Sequence, residues 1–186
     1  MDLTNASEYK RYAGISSDTQ DNTIASLIPK VSALVKTYCR RTFVDYVDEI
    51  KVDRFTGGLQ LDLTEYPVLQ VSSVEYSPNF GLSYTDLTEF RDWVLDTSSE
   101  AIVSPYGEFP KAINGYKVSY TAGFEVIPED LKLAVLDLIT YYLKNDGAVH
   151  SARSPSANTV QVEYITTIRF PSHIQRVLDQ YKANVL

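Results

Sequence analysis

The stretch that most constrains the fold is Ile127–Asn145, IPEDLKLAVLDLITYYLKN, which predicts a central helix. Pro128 suits the first helical turn, where a missing N–H costs nothing. Glu129 and Asp130 place negative charge at the positive end of the helix dipole. Apolar residues then recur at helical spacing, namely Leu131, Ala134, Val135, Leu138, Ile139, Tyr142 and Leu143. Because Asp137 interrupts the apolar run, we interpret this segment as a core helix and not as a membrane span.

Two further helices are predicted on either side of the central one. Residues 19–41 keep helical spacing through Ile24, Leu27, Ile28, Val31, Leu34, Val35 and Tyr38. Pro29 lies inside this pattern and removes a hydrogen bond, so the segment is either one kinked helix or two shorter helices. A last helix is predicted over 171–186, with an apolar face formed by Ile174, Val177, Leu178, Tyr181, Val185 and Leu186.

Between the first two core helices, residues 42–121 change from helical spacing to alternation. Apolar and polar residues alternate over Leu59–Leu63 and again over Tyr116–Tyr120, which predicts strands. A strand with a bulge is predicted over Val68–Tyr76. Other expected strands lie within Phe43–Phe55, Phe90–Leu95 and Glu100–Val103. The segment is therefore expected to hold about five or six short strands.

The predicted fold class is α+β. It is a small α-helical bundle, made of a kinked N-terminal helix, the central helix (127–146) and the C-terminal helix. An antiparallel β-rich insertion separates the first and central helices. Small and polar residues at 147–159 predict a mobile loop, and one more strand is expected at Val160–Ile165. A chain of 186 residues suits a single domain spanning 1–186.

The charge balance argues against a nucleic-acid-binding groove. Seventeen Lys and Arg against 24 Asp and Glu leave a net charge of −7. Gripping nucleic acid needs clustered basic residues, and only Lys10-Arg11 and Arg40-Arg41 are adjacent. The N-terminal residues lack the basic and apolar regions of a secretion signal, and no apolar stretch is long enough to cross a membrane.

The sequence offers no catalytic constellation, so the chain is predicted not to be an enzyme. His150 and His173 lack metal-ligand spacing, which predicts two surface histidines and no metal site. A lone Cys39 excludes an internal disulfide, and we interpret it as a structural thiol although neighbouring cations can lower a thiol pKa. The acidic run at 45–53 lacks a calcium-loop pattern, and the phosphate-loop and Gly-x-Ser-x-Gly motifs are absent. No cofactor is expected.

Three segments in order resemble a known family. They are Ile28–Phe43 (IPKV to YCRRTF), Phe55–Val74 (FTGG, then YPV and VSSV) and Tyr116–Lys132 (YKVSYTAGF, then IPEDLK). These look like the first core helix, the hairpin with its following strand, and the strand-to-helix junction of the head-tail connector (adaptor) family of tailed bacteriophages. The resemblance covers 19–145, and the later residues match only in the order of their elements.

The resemblance implies a structural virion protein, working by assembly and not by catalysis. In that family, a ring of subunits beneath the portal links the DNA-filled capsid to the tail. The expected partners are the portal protein, a stopper or tail-completion protein, and further copies of the chain, twelve to match a portal. Genomic DNA would pass through the channel without sequence readout. The implied roles are head completion and DNA ejection, and the implied location is the virion neck after assembly in the host cytoplasm.

Two sets of residues are candidates for contacts within such an assembly. The apolar face of the last helix (Ile174, Val177, Leu178, Tyr181, Val185 and Leu186) is our hypothesis for portal binding. The alternative is that this face packs on the chain's own central helix, as amphipathic helices usually do. The loops Ser77–Thr85 and Gly147–Asn158 are our hypothesis for contacts with a neighbouring subunit or a downstream partner, through Pro78, Asn79, Phe80, Tyr84, His150 and Arg153.

Two other functions remain open from the sequence. One is a stopper or tail-completion protein of the phage neck, which a β-barrel-dominated fold would favour and two long helices disfavour. The other is a small soluble α+β enzyme or ligand-binding domain. A deep pocket with convergent polar groups and shifted pKa values would favour that function.

Overall fold

The computed structural model describes residues 1–144 and 170–183, which mix helices with antiparallel strands and so confirm the α+β class. The chain divides into two compact units. The helical unit is formed by Asp2–Cys39 and Pro128–Tyr181. The β-rich unit is formed by Arg40–Ile127, together with Met1 and the residues from Lys182 onward. The insertion of strands between two helices is as predicted, whereas a single domain over 1–186 stays a prediction.

Four helices form in the described part of the chain: α1 Ala6–Ala13, α2 Asp21–Cys39, α3 Glu129–Lys144 and α4 Ser172–Asp179. Helix α1 begins with a capping box, in which Asn5 and Glu8 satisfy each other's backbone N–H groups, and ends at Gly14 in the left-handed conformation. Helix α2 continues through Pro29, which lies on its exposed side. Of the two alternatives, one continuous helix is therefore correct.

The core of the helical unit follows the predicted spacing. Its buried residues on α3 are Leu131, Ala134, Val135, Leu136, Leu138 and Ile139, and those on α2 are Ile24, Ile28, Val31, Val35 and Cys39. At the start of α3 the N–H of Lys132 donates to the Pro128 carbonyl at 2.9 Å. The acidic residues Glu129 and Asp130 occupy the first turn, as the helix dipole favours.

The last helix is shorter than the sequence predicted. Helix α4 ends at Asp179, because the N–H groups of Gln180 and Tyr181 donate to the carbonyls of Val177 and Leu178 and close a tight final turn. The prediction of a helix over 171–186 is thus wrong for residues 180–183. Residues 184–186, the predicted loop at 147–159 and the predicted strand at 160–165 lie outside the described residues.

Seven strands form in the described residues: β1 Lys51–Phe55, β2 Gln60–Asp62, β3 Val68–Tyr76, β4 Thr85–Asp86, β5 Val94–Asp96, β6 Ala101–Val103 and β7 Tyr116–Ala122. They make a four-stranded sheet in the order β1-β7-β3-β4 and a three-stranded sheet in the order β2-β6-β5, all antiparallel. Two register shifts in the β3–β7 pairing confirm the predicted bulge.

The strand predictions were wrong at three points. No strand begins at Phe43, because Phe43 has a φ of +68° and the N–H of Val44 donates to the Thr42 carbonyl in a turn. Leu59 does not share the burial of Leu61, since it precedes β2 and is exposed. Strand β4 was not predicted, because its two residues are too few to show alternation.

The core of the β-rich unit is formed by one set of buried residues: Leu61, Leu63, Val74, Trp93, Ile102, Phe109, Tyr116, Val118, Tyr120 and Ala122. Four of them come from β7, whose burial alternates strictly along the strand. Strand β7 lies between β1 and β3 in its sheet. Because its side chains alternate between the two faces of the sheet, one of these faces lies in the core.

The two ends of the β-rich insertion are joined by backbone contacts. The N–H of Phe124 donates to the Phe43 carbonyl at 2.7 Å, and the N–H of Gly123 donates to the Pro67 carbonyl at 2.9 Å. Gly123 has a φ of +121°, and a Cβ there would lie 2.4 Å from the Phe43 oxygen. Only glycine allows this approach. The three segments that carry the family resemblance therefore meet at one place.

A buried polar network lies beside this junction. Arg41 and Glu65 are only 2% and 1% exposed, with Nε of Arg41 3.6 Å from Oε2 of Glu65. The Arg41 guanidinium also donates to the Tyr66 carbonyl and lies 3.2 Å from the centre of the Tyr66 ring. The hydroxyl of Tyr120 accepts from the Glu65 N–H at 3.2 Å. This network fixes the corner between β2 and β3 against the segment that follows α2.

The network continues through Tyr120 and Asp53. The Tyr120 hydroxyl donates to Oδ2 of Asp53 at 2.6 Å, and this oxygen also accepts from the N–H and hydroxyl of Thr64. Burial, reinforced by the hydrogen bond to Asp53, raises the pKa of Tyr120. Burial also raises the pKa of Tyr116 to about 12. Both hydroxyls are thereby held neutral far into the alkaline range.

We predict that Gly123→Ala strongly destabilises the protein. The strained φ alone costs about 1–3 kcal/mol, and displacement of the Phe43 carbonyl adds to it. Gly107→Ala is the matched control, because Gly107 has a φ of +103° but no atom near its missing Cβ. Denaturant unfolding should show a clearly larger loss of free energy for Gly123→Ala. Equal losses for the two variants would refute the close approach at Phe43.

We also predict an alkaline loss of stability that depends on Tyr120. A raised pKa in the folded state gives stability that is complete below the unfolded pKa of 10.0 and is lost as the pH rises through the folded value. Tyr120→Phe should lower the free energy of unfolding at pH 8 by about 1–3 kcal/mol and reduce its fall between pH 8 and pH 11. Denaturant unfolding at the two pH values measures both effects, with exposed Tyr106→Phe as the control. An unchanged pH dependence in Tyr120→Phe would contradict the assignment.

Candidate assembly interface

The described residues hold no group of three or more His, Cys, Asp and Glu side chains that could ligate a metal ion. Among the same residues, no helix is long and apolar enough to cross a membrane. Cys39 is fully buried on α2, and its thiol lies 3.5 Å from the Leu178 carbonyl. It is therefore a packed thiol, as interpreted from the sequence. The features that distinguish the surface are exposed apolar side chains held on well-bonded loops.

The loop 77–84, between β3 and β4, is tightly hydrogen-bonded. The N–H of Ser77 donates to the Gly115 carbonyl at 2.7 Å, and its hydroxyl accepts from the N–H of Gly81 at 2.9 Å. Oδ1 of Asn79 accepts from the N–H of Ser83 at 3.0 Å. The Tyr84 hydroxyl donates to the Asn114 carbonyl at 3.0 Å, which ties the loop to the residues that precede β7. The loop therefore has a defined conformation without a partner.

This defined loop carries exposed apolar side chains. Phe80 is 70% exposed and Leu82 is 85% exposed, and Ile113, beside the bonded Asn114, is 63% exposed. We call these three residues the apolar tip. The backbone of Phe80 adopts a φ of +62°, which is uncommon for a residue with a large side chain. Because the two loops are adjacent and hydrogen-bonded, their exposed apolar side chains are a candidate surface for binding another protein.

The structure assigns different roles to the residues predicted in this loop. Pro78 and Phe80 are exposed and available for contact. Asn79 and Tyr84 are half-buried, and their side chains hold the loop through the bonds described above. Lys117 Nζ also lies 4.7 Å from the centre of the Tyr84 ring. His150 and Arg153, the other predicted contact residues, lie outside the described residues. A role in subunit or partner contact stays a prediction for all six.

The predicted portal-binding face lies largely inside the helical unit. Ile174 and Leu178 are buried, and Val177 and Tyr181 are half-buried. The Tyr181 hydroxyl donates to Oδ1 of Asp130 at 2.6 Å, which ties the residue after α4 to the start of α3. These contacts favour the alternative in which the face packs on the chain's own helices. Val185 and Leu186 lie beyond the described residues, and portal binding by this face stays a prediction.

Tyr38 adds two contacts between α2 and the C-terminal segment of the helical unit. Its hydroxyl donates to Oδ1 of Asp179 at 2.7 Å, and its ring meets that of Phe170 edge-on with centres 4.8 Å apart. His173, which was predicted to be a surface histidine, is exposed, and its Nε2 lies 3.9 Å from Oδ2 of Asp137. Helix α4 is thus held by the hydrogen bond from Tyr38 to Asp179 at its last residue as well as by its buried face.

Sequence reasoning placed Leu82 in the candidate loop Ser77–Thr85 without naming it as a contact residue, and it missed Ile113 of the apolar tip. The available signal was that both are large apolar residues in turn-rich stretches, beside Gly81 and before the Asn114-Gly115 pair. Apolar residues at such positions have no strand or helix to bury them. That signal does not reveal that the two loops lie side by side.

Comparison with known proteins assigns the family. The family model described as "Head completion protein" matches residues 2–184. This chain belongs to the head completion protein family. The assignment confirms the predicted resemblance to structural proteins of the phage particle, and with it the roles in virion assembly and head completion. A comparison with curated proteins found no sequence that matches this chain.

Solved structures of gene transfer agent particles contain chains of similar fold. A chain in the virion of the native particle is 16% identical to this head completion family member, with a TM-score of 0.59 over 99% of this chain and 91% of that one. A chain in the neck of the native particle, computed with C12 symmetry, is also 16% identical, with a TM-score of 0.55 over 100% and 96%. A third, in the neck of the empty particle computed with C6 symmetry, has 16% identity and a TM-score of 0.56 over 99% and 91%. The similarity extends over both units.

We predict that Leu178→Ala destabilises the protein by about 2–5 kcal/mol, because the side chain is fully buried and its loss leaves a cavity. Leu133→Ala, on the half-exposed side of α3, is the control and should cost much less. Thermal and denaturant unfolding of both variants measures the difference. If Leu178→Ala instead keeps full stability but no longer binds portal rings, the docking hypothesis for this face is correct and the packing alternative is wrong.

Proposed function

We propose that this chain is a head-tail connector that forms a ring in the neck of a phage particle, between the portal and the tail. The observation that carries the proposal is the family match over residues 2–184, nearly the whole chain. The similar fold of chains in gene transfer agent necks supports the location. The role is one of assembly, so no catalytic step is assigned to any residue.

The ring is proposed to hold about twelve copies in the particle, because one of the similar necks was computed with C12 symmetry. Its partners are the portal protein on one side and a stopper or tail-completion protein on the other. DNA would pass through the channel without sequence-specific contacts. The net charge of −7 suits this role, since a basic wall would retain the phosphates and an acidic one lets them slide.

The apolar tip is our candidate for a contact between proteins of the neck. A loop that already has its bound conformation avoids most of the ordering entropy of association. Phe80 and Leu82 then contribute buried apolar area when a partner covers them. A stopper or tail-completion role would use the same surface, but the two long helices, α2 and α3, favour the connector.

The mass of the purified protein in solution, alone and mixed with portal rings, tests the proposal. We expect a monomer or a ring that joins the portal in about twelve copies. Native mass spectrometry or light scattering resolves the stoichiometry. A monomer or dimer that ignores portal rings would overturn the connector function, and binding only to an already completed portal–connector complex would favour the stopper.

We predict that the double variant Phe80→Ser, Leu82→Ser keeps its stability and loses assembly. Both side chains are exposed, so the unfolding temperature should change little. Burying one such side chain contributes about 1.5–3 kcal/mol, so the affinity for the neck complex should fall at least tenfold. Val126→Ser is the matched control, because Val126 is 74% exposed but lies beyond the opposite end of β7. Equal assembly by the double variant and the control would exclude the apolar tip as an interface.

A further inference from the structure

A cleft in the β-rich unit has an aromatic floor and an acidic rim. It measures about 360 Å³. Tyr76, Phe109 and Tyr116 form the floor, and Asp92, Tyr106 and Glu108 stand at the rim. None of these residues belongs to the apolar tip, and the proposed ring function assigns no role to any of them. The combination of rings and carboxylates indicates which kind of chemical group the cleft can bind.

The aromatic floor is held in a fixed arrangement. The ring centres of Tyr76 and Tyr116 lie 5.2 Å apart, and those of Phe109 and Tyr116 lie 5.1 Å apart. The Tyr116 hydroxyl donates to the Pro110 carbonyl at 3.1 Å, which directs its polar end away from the rings. Phe109 is itself fixed by backbone bonds in both directions with Gly58. The floor is therefore fixed before binding, and Tyr76 presents most of its accessible ring surface, because Phe109 and Tyr116 are each only 3% exposed.

The rim carries two carboxylates with different surroundings. Asp92 is held by the Arg91 guanidinium at 2.7 Å and by the N–H of Thr88 at 2.8 Å, and the bond to Arg91 keeps the pKa of Asp92 low. Glu108 is exposed and has no hydrogen bond or ion pair with any residue in the described ranges. Its charge is thus available at the mouth of the cleft.

Tyr106 completes the rim with an exposed ring. Its side chain is 78% exposed, although it stands beside an apolar floor on which it could have been buried. The backbone N–H of Tyr106 donates to the Ser104 hydroxyl at 3.2 Å and so holds the turn that carries the ring. A ring face next to a carboxylate attracts a cation through both its π-electrons and the neighbouring charge.

We propose that this cleft binds a basic side chain, an arginine in the first place, of another protein of the neck. The planar guanidinium stacks on aromatic rings and pairs with carboxylates, whereas its aliphatic stem covers apolar surface. The half-buried ring of Tyr76, backed by Phe109 and Tyr116, suits the stem and the plane. Glu108 and Tyr106 at the rim suit the charge. The cleft is therefore a specificity site for a basic partner segment.

Charge complementarity at the rim is the reason for choosing a basic segment of another protein as the partner. Arg91 balances the charge of Asp92, whereas Glu108 stands at the mouth of the cleft without a counter-charge in the described residues and attracts a basic side chain. The inference rests on the proposed function only in naming that protein as a neighbour in the neck. The binding chemistry of the cleft stands on its own contacts.

A titration with N-acetyl-arginine amide, followed by the amide signals of the ¹⁵N-labelled full chain, tests the proposal. N-acetyl-citrulline amide is the control probe, because it has nearly the same shape and no charge. We expect saturable shifts at the residues lining the cleft with a Kd on the order of millimolar for the arginine probe, and much smaller shifts for citrulline. Equal shifts with both probes, or no saturation with arginine, would overturn the proposal.

Variants then assign the interaction to the rim. Glu108→Gln and Tyr106→Ala should each weaken the arginine probe about two- to fivefold, the range for exposed ion pairs and cation–π contacts. Glu125→Gln, an exposed acid outside the cleft, is the charge-matched control and should bind as the wild type does. Wild-type affinity in both rim variants would overturn the assignment.

Three further outcomes test the choice of partner and separate this proposal from the ring function. Concentration-dependent shifts at the cleft without any probe, lost in Glu108→Gln, would show that a second copy occupies it and would overturn the choice of partner. If the chain joins portal rings in about twelve copies but its cleft ignores the arginine probe, only the cleft proposal fails. If the cleft binds arginine selectively but the chain ignores portal rings, only the proposed ring function fails.

Discussion

The buried ion pair between Arg41 and Glu65 is the interaction on which the β-rich unit depends. Two charges that are almost fully buried cost free energy unless their attraction and further hydrogen bonds offset the lost hydration. Here Glu65 accepts from the backbone N–H groups of Thr42 and Phe43, and Arg41 donates to the carbonyl of Tyr66 while stacking on its ring. These bonds use backbone groups that would otherwise be unsatisfied in the turn after α2. The pair therefore defines where the chain enters the unit.

The exit of the chain from the unit is fixed at the same place. Gly123 follows β7 and passes so close to the Phe43 carbonyl that no Cβ fits between them, and the next residue, Phe124, donates its N–H to that carbonyl. An insertion whose two ends are bonded together can be closed within itself, whatever precedes and follows it in the chain. This explains how the strands fold between two helices, and why the residue that follows β7 is glycine and not alanine.

The regular spacing of apolar residues made most of the helices and strands predictable, and the features that were not predicted lie where no such spacing exists. The strict alternation of β7 and the helical spacing of α3 both report burial on one face, and the structure confirms both. Short elements such as β4 carry too few residues to show a period. The pairing of Arg41 with Glu65 could not be predicted from the sequence either. Spacing along the chain indicates which residues are buried, but not which distant residues contact each other. The cleft escaped prediction for the same reason, since its floor joins three separate segments.

The physical properties of the surface agree with a protein that works by being held between others. Its loop 77–84 is fixed by its own hydrogen bonds before any partner arrives, so docking of Phe80 and Leu82 loses little conformational entropy. The floor of the cleft beneath Tyr106 is equally fixed, and on our proposal the cleft selects a partner by charge, whereas the apolar tip selects one by shape and area. Apolar area supplies affinity to any well-fitting surface, whereas an acidic rim rejects acidic ones. A neck that must join different proteins in a set order needs both kinds of site, because affinity alone would not distinguish one partner from another.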